Sequence, residues 1–403
     1  MPIGAPPGAT SGHDFISGRH RRRMLPLALV VVLLVAAAIV LLYQGLAIVW
    51  AFQMPRLDGA APEPPGASAP RVGVVIAARD EDDDLPRTLD ALARQEYPDF
   101  EVVVVDGGSS PATRADLAVR APRVRRIEEP PLPAGWVGKN WACSVGAGAT
   151  DAEWLLFLDA DVRLAPSALR TLVRWAAAEG VPVASITPQV EMVGFWERVV
   201  LPFFAQLILV HFRVPRVNRA DSNAAMLNGQ CWLARRSAYA AVGGHAAVRG
   251  IVGEDVAIAR RFRAAGIPMR IANAPTLART RMYTDRHEMF EGLVKNIHGE
   301  RFSAARELGY VAGLVGAFWL PLALLPIGIA VGSLPLVGVG AFLWVALFGK
   351  HAAFARAIGS TVGAGLLYPL AVGFYVAVIA RSLRRGLARG TVSWKGRPYP
   401  IRP

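Results

Sequence analysis

Charged and uncharged stretches divide the chain. Residues 24–55, 308–349 and 357–380 carry no charged side chain. A membrane span takes about 20 consecutive apolar residues. The first run therefore predicts one membrane helix over 24–50. Residues 308–380 predict two or three more, with a turn near Gly332-Ser333-Leu334-Pro335. The first run exceeds the apolar core of about 7 to 15 residues found in cleaved signal peptides, and Ala60-Ala61-Pro62 is a poor cleavage site.

Between these runs the period changes. Residues 72–77, 101–105 and 154–158 are short continuous apolar runs, as expected of strands covered on both faces. Residues 85–95 and 112–119 have helical spacing and lie among them. Strands alternating with helices predict an α/β domain with a mostly parallel sheet and right-handed crossovers, over residues 71–300. Ligands of such sheets bind at the carboxyl ends of the strands. This singles out Ala78-Arg79-Asp80, Asp106-Gly107-Gly108-Ser109 and Asp159-Ala160-Asp161. Residues 195–214 are apolar and aromatic yet contain Glu197, Arg198 and Pro202; they read as a core helix or as a helix lying in the membrane interface.

Composition agrees with a membrane-associated protein. Hydrophobic residues make up 53% and the mean hydropathy is +0.34. The net charge of +13 is concentrated at the ends, with Arg19 and Arg21 to Arg23 in a Gly/Pro/Ser-rich basic N-terminus (1–23), and seven cations without an acid in a basic tail (381–403). Such clusters face anionic headgroups. No basic stripe with interleaved aromatics runs through the middle of the chain, so no nucleic-acid partner is expected. Residues 51–70 read as a Pro/Ala/Gly linker. The two cysteines and seven histidines show no zinc-ligand spacing.

Four segments carry candidate chemistry. Asp159 and Asp161, at i and i+2 beyond a buried strand, can reach one hard cation such as Mg2+ or Mn2+; the plain alternative is a turn with Asp161 as a solvated cap. Asp106 precedes two glycines that admit close backbone approach, or simply a turn capped by Ser109 and Ser110. Lys139, in Gly135-Trp136-Val137-Gly138-Lys139-Asn140, falls at a helix start, where the helix dipole disfavours a cation and a bound phosphate would reverse that cost; otherwise it is a surface lysine. Glu254 and Asp255 open an amphipathic helix, either as ordinary N-terminal acids or with Asp255 as a proton acceptor.

In this order, the motifs resemble the family-two inverting glycosyltransferases of the GT-A fold over residues 72–299. Gly135 to Lys139, Asn228-Gly229-Gln230 running to Gly243-Gly244-His245, Trp394-Lys395-Gly396-Arg397 and the trailing apolar runs are similar to membrane-bound glycosyltransferases of carotenoid and hopanoid pathways. The resemblance implies a metal-dependent hexosyltransferase. Ala78, Arg79 and Asp106 would hold the uridine of a UDP-sugar, with Asp159 near the donor. Asp161 and Asp159 would hold Mg2+ or Mn2+ on the diphosphate, and Lys139 would add charge there. Asp255, with Glu254 beside it, would be the catalytic base, Gly229 and Gln230 would line the acceptor side, and Arg281 and Tyr283 would reach the donor phosphates. Two departures stand out: the usual Asp-Asp-Gly-Ser reads Asp106-Gly107-Gly108-Ser109, and the Gln-x-x-Arg-Trp of processive synthases is absent after Asp255. Transfer of one sugar is therefore expected rather than polymerisation, to a membrane lipid such as a carotenoid or other polyprenoid.

Alternatives are a sphingolipid-like or polyprenyl-phosphate acceptor, and a non-catalytic nucleotide-binding scaffold. A dehydrogenase is disfavoured because no Gly-x-Gly-x-x-Gly follows the first strand. Cytosolic donors put the catalytic domain on the cytoplasmic side of the inner membrane in a multi-pass protein. The arginines at 19–23 place the N-terminus inside by the positive-inside rule, which conflicts with one crossing before the domain.

Overall fold

The computed structural model describes residues 52–59, 69–120, 124–298, 303–388, 391–394 and 397–400, with scattered positions between 32 and 50. The expected N-terminus (1–23), much of the expected 24–50 span and half of the linker lie outside the described residues.

A seven-stranded sheet forms the centre, in the order β3-β2-β1-β4-β8-β6-β9. Its strands are β1 (Val72–Ala78), β2 (Phe100–Asp106), β3 (Val124–Glu128), β4 (Trp154–Leu158), β6 (Val183–Thr187), β8 (Cys231–Arg235) and β9 (Met269–Asn273). The first four are parallel; β8 runs antiparallel to β4 and β6, while β6 and β9 are parallel. A small second sheet joins β5 (Val162–Leu164), β10 (Ala278–Thr280) and β7 (Gln189–Val190), in that order across the sheet. The fold is thus mixed α/β around a mostly parallel sheet. The expected strands and helices of its first half fall within two residues of where the pattern put them.

Helices cover both faces: α1 (Leu85–Ala93), α2 (Pro111–Val119), α3 (Gly138–Gly148), α4 (Ala168–Ala178), α5 (Phe195–His211), α6 (Arg236–Ala241) and α7 (Glu254–Ala264). Side chains alternate across a strand. Val74 and Ile76 accordingly meet Leu85, Leu89 and Leu92 of α1 and Leu169 and Leu172 of α4, while Val75, Leu155 and Phe157 meet Cys143, Ala147 and Phe262 on the other side. The small residues of α3 let it sit very close to the sheet: a Cβ at Gly146 would lie 2.5 Å from Cγ1 of Val75.

The second half is helical: α8 (Arg286–His298), α9 (Ala304–Leu314), a π-helical stretch (Val315–Trp319), α10 (Leu320–Val331), α11 (Leu334–Ala357), α12 (Val362–Leu366) and α13 (Tyr368–Leu387). Among the described residues, two helical segments are long and apolar enough to cross a membrane, Ala304–Val331 and Leu334–Ala357. The turn between them is at Gly332-Ser333, where Gly332 adopts a left-handed φ of 64° that costs other residues more. Helix α13 has a different surrounding. Ala371, Val372, Tyr375, Val378 and Ile379 are buried in one apolar cluster with Val199, Val200 and Phe203 of α5 and Met289 and Leu293 of α8.

The basic tail expected over 381–403 has regular structure in its described part. Helix α13 continues to Leu387, and a hairpin of β11 (Thr391–Trp394) and β12 (Arg397–Pro400) follows. Arg385 pairs with Glu291 at 2.7 Å and Arg397 with Glu129 at 2.8 Å, so part of the basic cluster neutralises acids of the protein itself.

Candidate active site

Two helices begin at the same place. Helix α3 starts at Gly138, and Asn140, fully buried, donates its side-chain amide to the carbonyls of Val248 (2.8 Å) and Ile251 (2.9 Å), in the loop that leads into α7. Val137 N donates to Arg249 O in the same seam (2.7 Å). The start of α3 is thereby fixed against the start of α7. Across the join, the Lys139 ammonium lies 2.7 Å from Asp159 and 2.9 Å from Glu254. The dipole cost of a cation at a helix start is offset by these two carboxylates. Burial alone would lower the lysine pKa, but Asp159 and Glu254 reverse this and hold it well above its ordinary value. Burial likewise pushes Glu254 up, and Lys139 overcomes it, holding the carboxyl below its ordinary value.

Asp255 sits one residue on. Its Oδ2 accepts from Gly229 N and its Oδ1 from Val256 N, each at 2.9 Å. Burial, and next the charge of Glu254, push its pKa up to about 6, with Lys139 opposing. A carboxylate tuned toward neutrality and held by two backbone donors suits a proton acceptor. The Gly229-Gln230 loop ties this acid to the others. Gln230 O accepts from Asp159 N at 3.0 Å, and a Cβ at Gly229 would lie 2.8 Å from Oδ2 of Asp255.

Asp161 follows β4 and faces β10, where Thr280 Oγ1 donates to its Oδ2 at 2.8 Å. The strand register explains the contact, since Thr280 pairs with Val162. Burial raises Asp161 to about 7 and the Asp159 charge adds to it. Two acids close enough to repel, with oxygen-only donors, fit a hard cation whose other ligands are water and phosphate oxygens. Among the described residues, no group of three or more His, Cys, Asp or Glu side chains is arranged to hold a metal by itself.

A second cluster lies at the ends of β1, β2 and β3. The register aligns Ala78, Asp106 and Glu128 in one row at the strand ends. Asp106 is buried and fully engaged: Oδ1 accepts from Gly108 N (3.1 Å) and Ser109 N (2.8 Å), and Oδ2 from Arg126 Nε (2.7 Å). Burial pushes its pKa up, but these donors outweigh that and keep it below the ordinary value. Arg79 Nη1 donates to Gly107 O at 2.7 Å. Asp80 turns the chain beyond β1 with a φ of 53°, a conformation that Asp and Asn tolerate better than most residues. The departure at 107 has a steric reason, because a Cβ there would lie 2.6 Å from Oε2 of Glu129.

The structure therefore brings together Lys139, Asp159, Asp161, Gly229, Gln230, Glu254 and Asp255, with Ala78, Arg79 and Asp106 at the neighbouring strand ends. Arg281 and Tyr283 are placed differently. Arg281 donates to Glu197 of α5 at 2.9 Å, and that same carboxylate accepts from Val193 N and Gly194 N at the start of the helix. Tyr283 is buried in the α5–α8–α13 cluster with its ring against Gly292. His245, from the Gly243-Gly244-His245 motif, is also structural. It is buried between Phe157 and Trp232, bonds to Tyr239 Oη at 2.8 Å, and has its pKa pushed down to about 3 by burial.

Sequence reading missed Thr280 and Lys295. Burial, then the charge of Lys139, brings Lys295 down to about 8, while Glu254, Asp159 and Asp255 oppose the shift, which puts this second ammonium within electrostatic reach of the cleft. Its signal was a lone lysine in an amphipathic helix, which no spacing rule distinguishes from a surface residue.

The chain is 32% identical over 99 residues to a 4,4'-diaponeurosporenoate glycosyltransferase of Staphylococcus haemolyticus, a stretch covering 25% of this chain and 26% of that protein. Similarity to the protein of the same name in Staphylococcus aureus is 22% over 338 residues, 81% of this chain and 88% of that one. A mannosyltransferase from Pyrobaculum calidifontis, solved with GDP-Man and Mn2+, aligns over 90% of this chain and 97% of its own, at 19% identity and a TM-score of 0.47. Residues 70–300 match the family described as "Glycosyltransferase like family 2", which is more than half of the chain. The chain belongs to that glycosyltransferase family.

Proposed function

We propose that the protein is an inverting hexosyltransferase that moves one sugar from a UDP-sugar to a hydroxyl of a membrane lipid, of which a carotenoid or other polyprenoid is the first choice. The observation that carries this reading is the position of Asp255. A carboxylate with a pKa raised to about 6 stands in the first turn of α7, next to the Glu254 that pairs with Lys139, and the Gly229-Gln230 loop bonds to both it and Asp159.

The chemistry follows from what each group can do. Asp255 takes the proton from the acceptor hydroxyl as its oxygen bonds to the anomeric carbon. The bond from that carbon to the diphosphate oxygen breaks on the opposite face, so the configuration inverts. Negative charge develops on the departing nucleoside diphosphate, and Lys139 lies where it can meet it. Asp161 and Asp159 would hold a Mg2+ or Mn2+ ion, which supplies charge neutralisation on the diphosphate. Glu254 keeps Lys139 charged and oriented. The row of Ala78, Arg79 and Asp106 would hold the uridine, with Asp106 acting by shaping the Gly107-Gly108-Ser109 loop.

The lipid acceptor rests on the names of the staphylococcal relatives and on the two apolar helical segments. We place the protein in the inner membrane with its catalytic domain toward the cytoplasm. The Glu129–Arg397 pair supports an even number of crossings between them, since both residues must share one side of the bilayer. The two segments Ala304–Val331 and Leu334–Ala357, crossing as a hairpin, meet that condition with α13 as part of the soluble packing.

Incubating membranes with radiolabelled UDP-glucose and extracting lipid tests the reading. Label in the lipid fraction is expected. Its absence with every nucleotide sugar tried, from protein that remains folded, would overturn it.

A further inference from the structure

We infer that Arg397, delivered by the C-terminal hairpin, is a positioning residue of the nucleotide pocket: it clamps Glu129 and so sets the Arg79–Gly107 contact. This rests on the reading of the strand-end row as the nucleotide site.

Glu129 follows directly on β3, its backbone N–H donating to Asp106 O at 2.9 Å. Its side chain is only 5% exposed, and it accepts a two-pronged pair from Arg397, Nη1 to Oε1 at 2.8 Å and Nη2 to Oε2 at 2.9 Å. That fork geometry is specific to arginine. The same Oε2 lies 3.9 Å from Arg79 Nη1, which donates to Gly107 O at 2.7 Å. Oε2 also fills the space where a side chain at 107 would begin, 2.6 Å from an added Cβ. The carboxylate is therefore packed against the loop expected to meet the nucleoside and held by a residue 268 positions away in the chain.

The hairpin is anchored as well as paired. It follows α13, whose Arg385 pairs with Glu291 of α8 at 2.7 Å, and β11 packs against both helices. The helical half thus reaches back to the nucleotide end of the sheet. Without Arg397, a buried carboxylate loses a fork of two charged donors and draws Arg79 toward itself, away from Gly107. The expected consequence falls on nucleotide affinity and not on the proton transfer at Asp255.

The experiment uses full-length protein in detergent micelles. Binding of UDP and GDP to the wild type is measured first by calorimetry, and the nucleotide that binds is carried forward. Failure of both to bind would defeat the nucleotide-site reading and this inference with it. With the one that binds, Arg397→Ala and Glu129→Gln should each weaken affinity and raise donor KM about tenfold, with kcat and acceptor KM within twofold. Arg397→Lys should recover part of the loss, and the double variant should be no worse than the poorer single. Unchanged nucleotide affinity in folded Arg397→Lys and Glu129→Gln, or a loss confined to kcat, would overturn the inference even if Arg397→Ala fails to fold.

Discussion

The Lys139 ammonium lies 2.7 Å from Asp159 and 2.9 Å from Glu254, joining the end of β4 to the first turns of α3 and α7. Replacing it with methionine leaves two acids without their cation, one of them only 7% exposed. Breaking a buried pair costs about 3 to 5 kcal/mol, and the partly open cleft places this case at the lower end. The sign with pH follows from Glu254, whose pKa Lys139 holds below its ordinary value of 4.5. That pair contributes stability above the unfolded pKa and loses it as pH falls through the folded one. Thermal melts of Lys139→Met against wild type should show a deficit at pH 7 that holds down to about pH 4.5 and is smaller at about pH 3. An equal deficit at the two ends of that range would contradict the pairing.

Gly229→Ala tests the acceptor-side loop. Its Cβ would sit 2.8 Å from Oδ2 of Asp255, so the carboxylate must move. A displacement of about 1 Å can cost up to a hundredfold in rate. We expect kcat to fall by about tenfold to a hundredfold while donor KM stays within threefold, measured by steady-state transfer.

Asp255 predicts a pH profile. With its pKa raised to about 6, first by burial and then by Glu254, the base is protonated in acid and free above neutrality. The plot of log kcat/KM should rise with unit slope below pH 6 and level off above it. Asp255→Asn should lower the plateau by about a hundredfold or more and abolish that limb. Retention of the limb in Asp255→Asn would assign it to another group.

Arg281 separates a structural from a donor role. Its partner Glu197 is 3% exposed at the side chain and also caps α5. Arg281→Ala should lower stability by about 1 to 3 kcal/mol, the usual cost of an orphaned buried group, with donor KM within twofold. A tenfold rise in donor KM at unchanged melting temperature would restore the phosphate role.

The sheet of the first half was legible because β1, β2 and β4 are buried on both faces and read as unbroken apolar runs. Strand β3, Val-Arg-Arg-Ile-Glu, lies at the sheet edge with no buried residue, so no apolar run marked it and Glu129 went unseen. Asp159, Asp161, Lys139 and Asp255 were legible because each stands at a strand end or helix start. Thr280 and Arg397 were not: their partners lie 119 and 268 residues away, and only strand register or a returning hairpin brings them in. The burial of Tyr283 was not legible because its surroundings are built by α5, α8 and α13 together, a packing that no local pattern encodes. The pairing of Arg385 and Arg397 with Glu291 and Glu129 was likewise not legible, because these acids are distant in sequence.

The most direct measurement is transfer of labelled sugar from UDP-glucose into membrane lipid, comparing wild type with Asp161→Ala at equal folded protein, with EDTA and after adding Mn2+. Wild-type transfer should vanish in EDTA and return with Mn2+, and Asp161→Ala should stay at least a hundredfold below the Mn2+-supplied wild type in both conditions. Undiminished transfer by Asp161→Ala, or by the wild type in EDTA, would contradict the claim that Asp159 and Asp161 hold a metal on the diphosphate.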